Sequence, residues 1–429
     1  MPAPRALIVS VGEELLQGRV TDANACFLAG ELFRRGIEVA GLRTVGDAPG
    51  AYRRLLQQAA GEVDLVVSSG GLGPTADDRV RSEASAWLGR PLAEIDGAVE
   101  PLARLYRRQH GTEAPAWFLA QAKVPAGARP LANRAGTAWG FAAAAAGDRP
   151  ADLICLPGPP GEARSCFLEG GGARFLAERF PAGDRAFVVL HTCGEPESRV
   201  EARIRDLFEG AGNPRLGITA DAGKVSVSVL AEPEAGRSAA EVLAAVVTEL
   251  EERLADILWG RDDQTLEEVV VGELRRRRRT VATAESCTGG RIAAALTAVP
   301  GASEVFHQGW ICYADAVKTA ALGVPADLLA RHGAVSAEVA AAMAAGARRE
   351  AGADYAVAAT GIAGPGGGSP EKPVGLVFLG LAGPGGVRAI RRRQFARAGR
   401  AAVQEQTVRD ALEALRREIL GLPPLPGRE

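Results

Sequence analysis

A chain of 429 residues is too long for one ordinary hydrophobic core and predicts two or three domains. With 50 Lys and Arg against 52 Asp and Glu, the formal net charge is −2, which removes the electrostatic case for nucleic acid or an anionic membrane as a partner. Six scattered cysteines without a CxxC pair, and only four histidines, argue against a structural zinc site or a disulfide framework and favour a reducing compartment.

The chain opens on an apolar run, Ala6–Val11, that predicts a buried strand with no signal-peptide pattern before it. No apolar stretch is long enough to span a bilayer, so a cytoplasmic protein is expected. Asn24 to Arg35 predicts a helix, with Leu28 and Leu32 one turn apart. Tyr52, Leu55, Leu56 and Ala59 predict another, and Leu65–Ser69 the next strand. Strands alternating with helices predict a parallel sheet covered on both faces, with ligands at the carboxyl ends of its strands. At that end lies Gly70-Gly71-Leu72-Gly73-Pro74-Thr75-Ala76-Asp77-Asp78. Glycines let backbone N–H groups approach a phosphate, and the paired acids can hold Mg²⁺ or a similar divalent ion. Helix capping with first-turn acids is the plainer reading of the same residues.

After Gly170–Gly172 the pattern changes. A strand Ala186–Leu190, a helix carrying Val200, Ile204, Leu207 and Phe208, an alternating strand through Val225, Val227 and Val229, and a long helix from about Ala239 to Leu258 predict a small α/β unit. Arg261–Asp263 is expected to connect it to a third domain. Arg275–Arg279, five like charges ending an amphipathic helix, fit a solvated face better than a nucleic-acid patch.

The third domain carries Thr283-Ala284-Glu285-Ser286-Cys287-Thr288-Gly289-Gly290 between an apolar strand and a helix starting near Arg291. Helix-start N–H groups have no partner inside the helix and offer a site for an anion or a developing oxyanion. An ordinary capping turn is the competing reading. Downstream stand Gly309–Lys318 with Tyr313 and Lys318, then Leu322–Val324, a strand Ala353–Thr360, Thr360–Gly368, Glu371–Gly375, strands Val374–Leu381 and Val387–Gln394, Ala398–Val403 with Arg400, and a helix to Leu420.

Recurring in this order, these motifs resemble the nicotinamide-nucleotide (NMN) amidohydrolase domain at the C-terminal end of the CinA family, over most of residues 263–420. The resemblance implies hydrolysis of the carboxamide of NMN to nicotinate mononucleotide and ammonia, without a cofactor. A hydroxyl needs a base to become a nucleophile, and no histidine follows the Ser286 turn at a suggestive spacing, so a Ser–Lys arrangement is expected. Ser286 is then the nucleophile, Lys318 the general base and Tyr313 a proton relay or oxyanion donor, with Cys287 the alternative nucleophile. Thr288, Gly289, Gly290, Thr360, Gly361 and Arg400 are the expected substrate-binding residues. Gln404 stands where the family commonly carries another arginine.

Residues 1–170 resemble the family's N-terminal, molybdopterin-binding-like domain through Val11–Leu16, Asp22–Ala25, Gly70–Asp78, Gly136–Ala138 and Leu156–Pro160. That domain is associated with metal-dependent ADP-ribose pyrophosphatase activity. The match implies that Asp77, Asp78 and Glu14 serve the metal, and that Gly71, Gly73 and Asn24 serve the substrate. Glu13 stands where the family usually has Asp, and Gly161 and Ala163 where it usually has Ser and Met. The expected fold is therefore α/β and multi-domain: 1–170 molybdopterin-binding-like, 171–262 a KH-like middle domain acting as a spacer or in dimerisation, and 263–429 the amidohydrolase domain. A homodimer acting on small nucleotides is expected. A molybdopterin-binding protein of cofactor biosynthesis and a non-enzymatic DNA-uptake component are the rival readings.

Overall fold

The computed structural model describes residues 3–145, 151–181, 183–208, 212–221, 224–394 and 399–425, and divides into two compact units, 1–184 and 185–429. In the first unit, β1 (Arg5–Val11), α1 (Ala23–Arg34), β2 (Glu38–Val45), α2 (Ala51–Ala59), β3 (Leu65–Ser69) and α3 (Val80–Leu88) alternate as expected. They are followed by β4 (Arg129–Leu131), β5 (Gly140–Ala143), β6 (Asp152–Leu156) and α4 (Gly172–Arg179). The strands form one sheet in the order β2-β1-β3-β6-β5-β4. The first four are parallel, and β5 and β4 join antiparallel.

Alternate side chains of each strand leave by opposite faces. Leu7, Val9 and Val66 therefore meet Tyr52 and Leu56 of α2, while Ile8, Val67 and Ile154 meet Leu28 and Leu32 of α1. Phe175 and Leu176 of α4 join the second of these cores. The first unit consequently runs past the expected limit at residue 170, because the helix after Gly170–Gly172 buries its apolar face backwards.

The second unit starts with β7 (Ala186–Cys193), α5 (Glu197–Phe208), β8 (Arg215–Asp221), β9 (Lys224–Ala231), α6 (Ala239–Leu254) and β10 (Leu258–Arg261). Its antiparallel sheet has the order β8-β9-β7-β10. The α6 helix starts at a capping box of Ser238 and Glu241 and stops four residues short of the expected Leu258, which instead opens the strand paired with β7.

The remainder comprises α7 (Leu266–Arg277), β11 (Val281–Glu285), α8 (Arg291–Thr297), β12 (Phe306–Ile311), α9 (Asp315–Leu322), α10 (Ala337–Ala351), β13 (Tyr355–Gly361), β14 (Leu376–Gly383), β15 (Gly386–Arg393) and α11 (Gly399–Leu420). The sheet order is β12-β11-β13-β14-β15, with β12, β11 and β13 parallel. Trp259 and Cys193 share a core with Leu266, Val270 and Leu415, so the middle sheet and the third domain are one packed body. Arg417 donates to the Asp256 carbonyl (2.6 Å) and Arg409 to the Asp221 carbonyl (2.9 Å) across the same junction. In the arginine run, Arg275 pairs with Glu304, Arg276 and Arg277 with Glu273, and Arg279 with Asp354.

Candidate active sites

β11 is the central strand of the parallel trio. Its last residue, Glu285, is in register with Ile311 on one side and Ala359 on the other. The backbone then continues the pairing, with Cys312 N donating to Glu285 O (2.8 Å) and Ser286 N to Ala359 O (2.9 Å). The Ser286 turn, the Cys312–Tyr313 segment and Thr360–Gly361 therefore emerge side by side at one carboxyl edge, the usual ligand edge of such a sheet.

The expected free helix start is not free. Glu285 is fully buried and its carboxylate accepts from Gly290 N (3.0 Å), Ile292 N (3.0 Å) and Ala293 N (2.8 Å). The first turn of α8 is satisfied by the chain's own anion, which corrects the reading of these N–H groups as a substrate or oxyanion site. The carboxylate also braces the turn that presents Ser286, because it reaches over that turn from the strand to the helix.

Ser286 is half-buried, and among the described residues its hydroxyl has no hydrogen-bond partner. Lys318 is 1 % exposed, and its ammonium donates to Tyr313 O (3.3 Å) and Asp315 Oδ1 (3.0 Å). The Tyr313 side chain is 63 % exposed. Its hydroxyl accepts from Arg400 Nη2 (3.1 Å), while Nη1 of the same guanidinium donates to Gly364 O (2.9 Å). A phenol that accepts from a guanidinium keeps its own O–H for donation. Gln404 Nε2 donates to Cys287 O (2.8 Å), so the residue in place of the family arginine holds the turn through a neutral amide.

The other expected binding residues divide. Gly289 is exposed at the turn, and Gly290 has φ +95 with Ile311 against it. Thr288 is fully buried with an unpartnered hydroxyl, and Thr360 is buried with its hydroxyl on Ala334 O (2.8 Å). Neither threonine presents its hydroxyl at the surface. Gly361 is packed against Val377 and the Leu376 carbonyl. Burial pushes the Cys287 thiol up to about 12, so thiolate is scarce there at neutral pH.

In the first unit, the carboxyl ends of β1, β3 and β6 open into a cleft of about 310 Å³. It is lined by Glu14, Gly71, Gly73, Asp77 and Asp78, which the motifs had singled out, and by Asp47, Gln121 and Glu162, which they had not. Gly70 has φ +104, and a Cβ there would fall on the Val11 carbonyl, so the glycine loop lies directly on the end of β1. Asp78 braces the loop by accepting from Thr75 N (2.9 Å) and the Thr75 hydroxyl. Asp77 is exposed. Asn24 stands behind the wall and donates to Gly158 O (2.7 Å). Asp47 accepts from Glu13 N (3.0 Å) and reaches the cleft near the position where the family's Asp became Glu13. Glu162 is held by Asn133 (2.5 Å).

Among the described lining residues there are five carboxylates and no Lys or Arg. Arg81 is buried behind the loop, where it donates to Leu72 O (2.7 Å) and burial lowers it to about 10. Among the described residues no three acids, histidines or cysteines stand close enough to cage an ion. Separated carboxylates around a glycine loop fit Mg²⁺, which takes one or two carboxylates and fills its shell with water and phosphate oxygens.

Family models match in three successive blocks: "Probable molybdopterin binding domain" over residues 7–171, "Damage-inducible protein CinA KH domain" over 188–260, and "CinA C-terminal domain" over 263–419. A CinA-like protein of Desulfovibrio desulfuricans is 41% identical over 421 residues, covering 98% of this chain and 97% of that one. A CinA-like protein of Myxococcus xanthus is 39% identical over 428 residues, covering 98% and 100%. Among solved structures, the competence/damage inducible protein CihA from Agrobacterium tumefaciens is 43% identical, covering 37% of this chain and 93% of its own, with a TM-score of 0.35. With relatives this similar over nearly all of both sequences, the chain belongs to the CinA family of competence/damage-inducible proteins.

Proposed function

We propose that the third domain hydrolyses the carboxamide of NMN, releasing ammonia and nicotinate mononucleotide. The observation that carries this reading is the meeting of Ser286, Tyr313 with Arg400, and the segment leading to Lys318 at one carboxyl edge of a parallel sheet. In the proposed reaction Ser286 Oγ attacks the amide carbon and its proton passes to the amine form of Lys318. The Tyr313 O–H donates to the developing oxyanion. The proton then goes to the departing nitrogen, ammonia leaves, and water cleaves the acyl ester. Lys318, paired with Asp315, would have to release that carboxylate to take the proton. Arg400, held beside the Tyr313 hydroxyl, is a cation available to the substrate phosphate.

For the first unit we propose metal-dependent hydrolysis of ADP-ribose. Asp77 and Asp78, with Glu14, would hold the ion, and Gly71 and Gly73 would face the phosphates. The ion would supply charge neutralisation of the diphosphate in a cleft whose described lining holds no Lys or Arg. A pterin ligand is the alternative outcome for this cleft, detected as co-purifying fluorescence. Incubating the full chain separately with NMN and with ADP-ribose tests both proposals. Ammonia should come from NMN alone, and Ser286→Ala should abolish it without affecting ADP-ribose cleavage. Full ammonia release by Ser286→Ala would refute the nucleophile assignment.

A further inference from the structure

The second unit holds another cavity, of about 480 Å³, at the junction of the middle sheet with α8 and α11. Its apolar wall includes Trp259, Ala294, Ala295, Val408 and Leu412. Trp259 is stacked on His191 (5.1 Å between ring centroids) and its indole N–H has no partner among the described residues. The charged groups on the lining are Lys224, Arg291, Arg409, Glu267 and Glu405. Glu405 is matched by Arg409 (3.7 Å), and Glu267 lies in the first turn of α7, where the helix dipole favours an acid. Lys224 and Arg291 are left without an ion-pair partner among the described residues. Two unmatched cations over an apolar wall suit a flat aromatic body carrying a doubly charged group, and the volume suits a molecule of mononucleotide size.

The walls are also the elements that carry the candidate active site. Arg291 follows Gly290 directly at the start of α8, and Ala401 and Glu405 each follow a residue of α11 that touches the site, Arg400 and Gln404. We propose that this cavity is a second ligand site, for an aromatic phosphate monoester, and that its occupant changes the rate of amide hydrolysis through α8 and α11. The coupling rests on the amidase reading; the binding does not.

AMP is a suitable probe, titrated calorimetrically into the full chain with a chelator present to suppress metal-dependent binding in the first unit. Binding is expected to weaken at least about tenfold in the Lys224→Ala/Arg291→Ala double variant and to vanish when Ala295→Trp fills the cavity. Inorganic phosphate should bind about tenfold more weakly than AMP, because it lacks the flat body. No heat with the wild-type chain at millimolar AMP, or unchanged affinity in the double variant, overturns the site. If Ala295→Trp fails to fold by circular dichroism, the double variant decides alone. AMP should then alter ammonia release from NMN by the wild-type chain and not by the double variant. An unaltered wild-type rate overturns the coupling. A wild-type chain that binds AMP but releases no ammonia refutes the amidase reading and the coupling together, while the site stands.

Discussion

At the scale of single residues, the choice between Ser286 and Cys287 turns on burial. The hydroxyl is half-buried, whereas the thiol is 5 % exposed and raised to about 12. At pH 7.5 the thiolate fraction of such a group is below about one part in ten thousand. Iodoacetamide at that pH should therefore leave ammonia release unchanged while it modifies the exposed Cys26. Loss of activity in step with alkylation of Cys287, followed by peptide mass spectrometry, would reverse the assignment. His191 supplies a pH prediction. Burial first, with Lys224 adding to it, lowers its folded value below 6.5, while the Asp262 carbonyl (2.6 Å) pulls the other way. On acidification the unfolded chain takes this proton before the folded one. The stabilisation is thus complete above 6.5 and is lost as pH falls from there toward the lower folded value. Denaturant midpoints of the second unit should drop between about pH 7.5 and 5.5, with a slope of at most about 1.4 kcal/mol per pH unit from this group. His191→Gln should flatten that slope.

At the scale of elements, the strand–turn–helix around Ser286 was legible in the sequence because an apolar run, two glycines and an alanine-rich helix are local signals. So were the parallel strands of the first sheet and the glycine loop after β3. What Glu285 does was not legible. A carboxylate next to Ser286 has no local mark of its target, and its three backbone partners exist only once the turn has closed. Asp47, Gln121 and Glu162 escaped notice for a related reason: they reach the first cleft from a loop, a 3-10 turn and a short helix that lie far apart in sequence. The end of α6 was misread because Leu258 continues an apolar helical pattern, and strand pairing with β7 overrides it. Glu285→Gln keeps the shape and removes the charge at the start of α8. Stability of the second unit should fall by about 1–2 kcal/mol, and kcat for NMN should fall more than KM changes. Unaltered stability and kcat would mean that the carboxylate braces nothing.

For the whole molecule, the division into two compact units predicts separable activities. On the proposed reading, EDTA should stop ADP-ribose cleavage and leave ammonia release intact, since five carboxylates and no Lys or Arg among the described lining residues would need added positive charge to hold a diphosphate. Inhibition of both reactions would contradict this division. A fragment of residues 185–429 should keep the proposed amidase activity of the full chain. A fragment starting at residue 263 should be less stable, because Trp259 and Cys193 would be cut from the core they share with Leu266 and Leu415. Thermal melts of the two fragments make the comparison.

The helix beside Ser286 begins with an internal counter-ion already seated. On the proposed amidase reading, a phosphate arriving there would have to evict a tethered rival of the same sign, so recognition of the nucleotide's acidic end would fall to side chains such as Arg400 instead of to the backbone. Selectivity among phosphorylated substrates would then be adjustable by single substitutions at the rim, without disturbing the turn that carries Ser286.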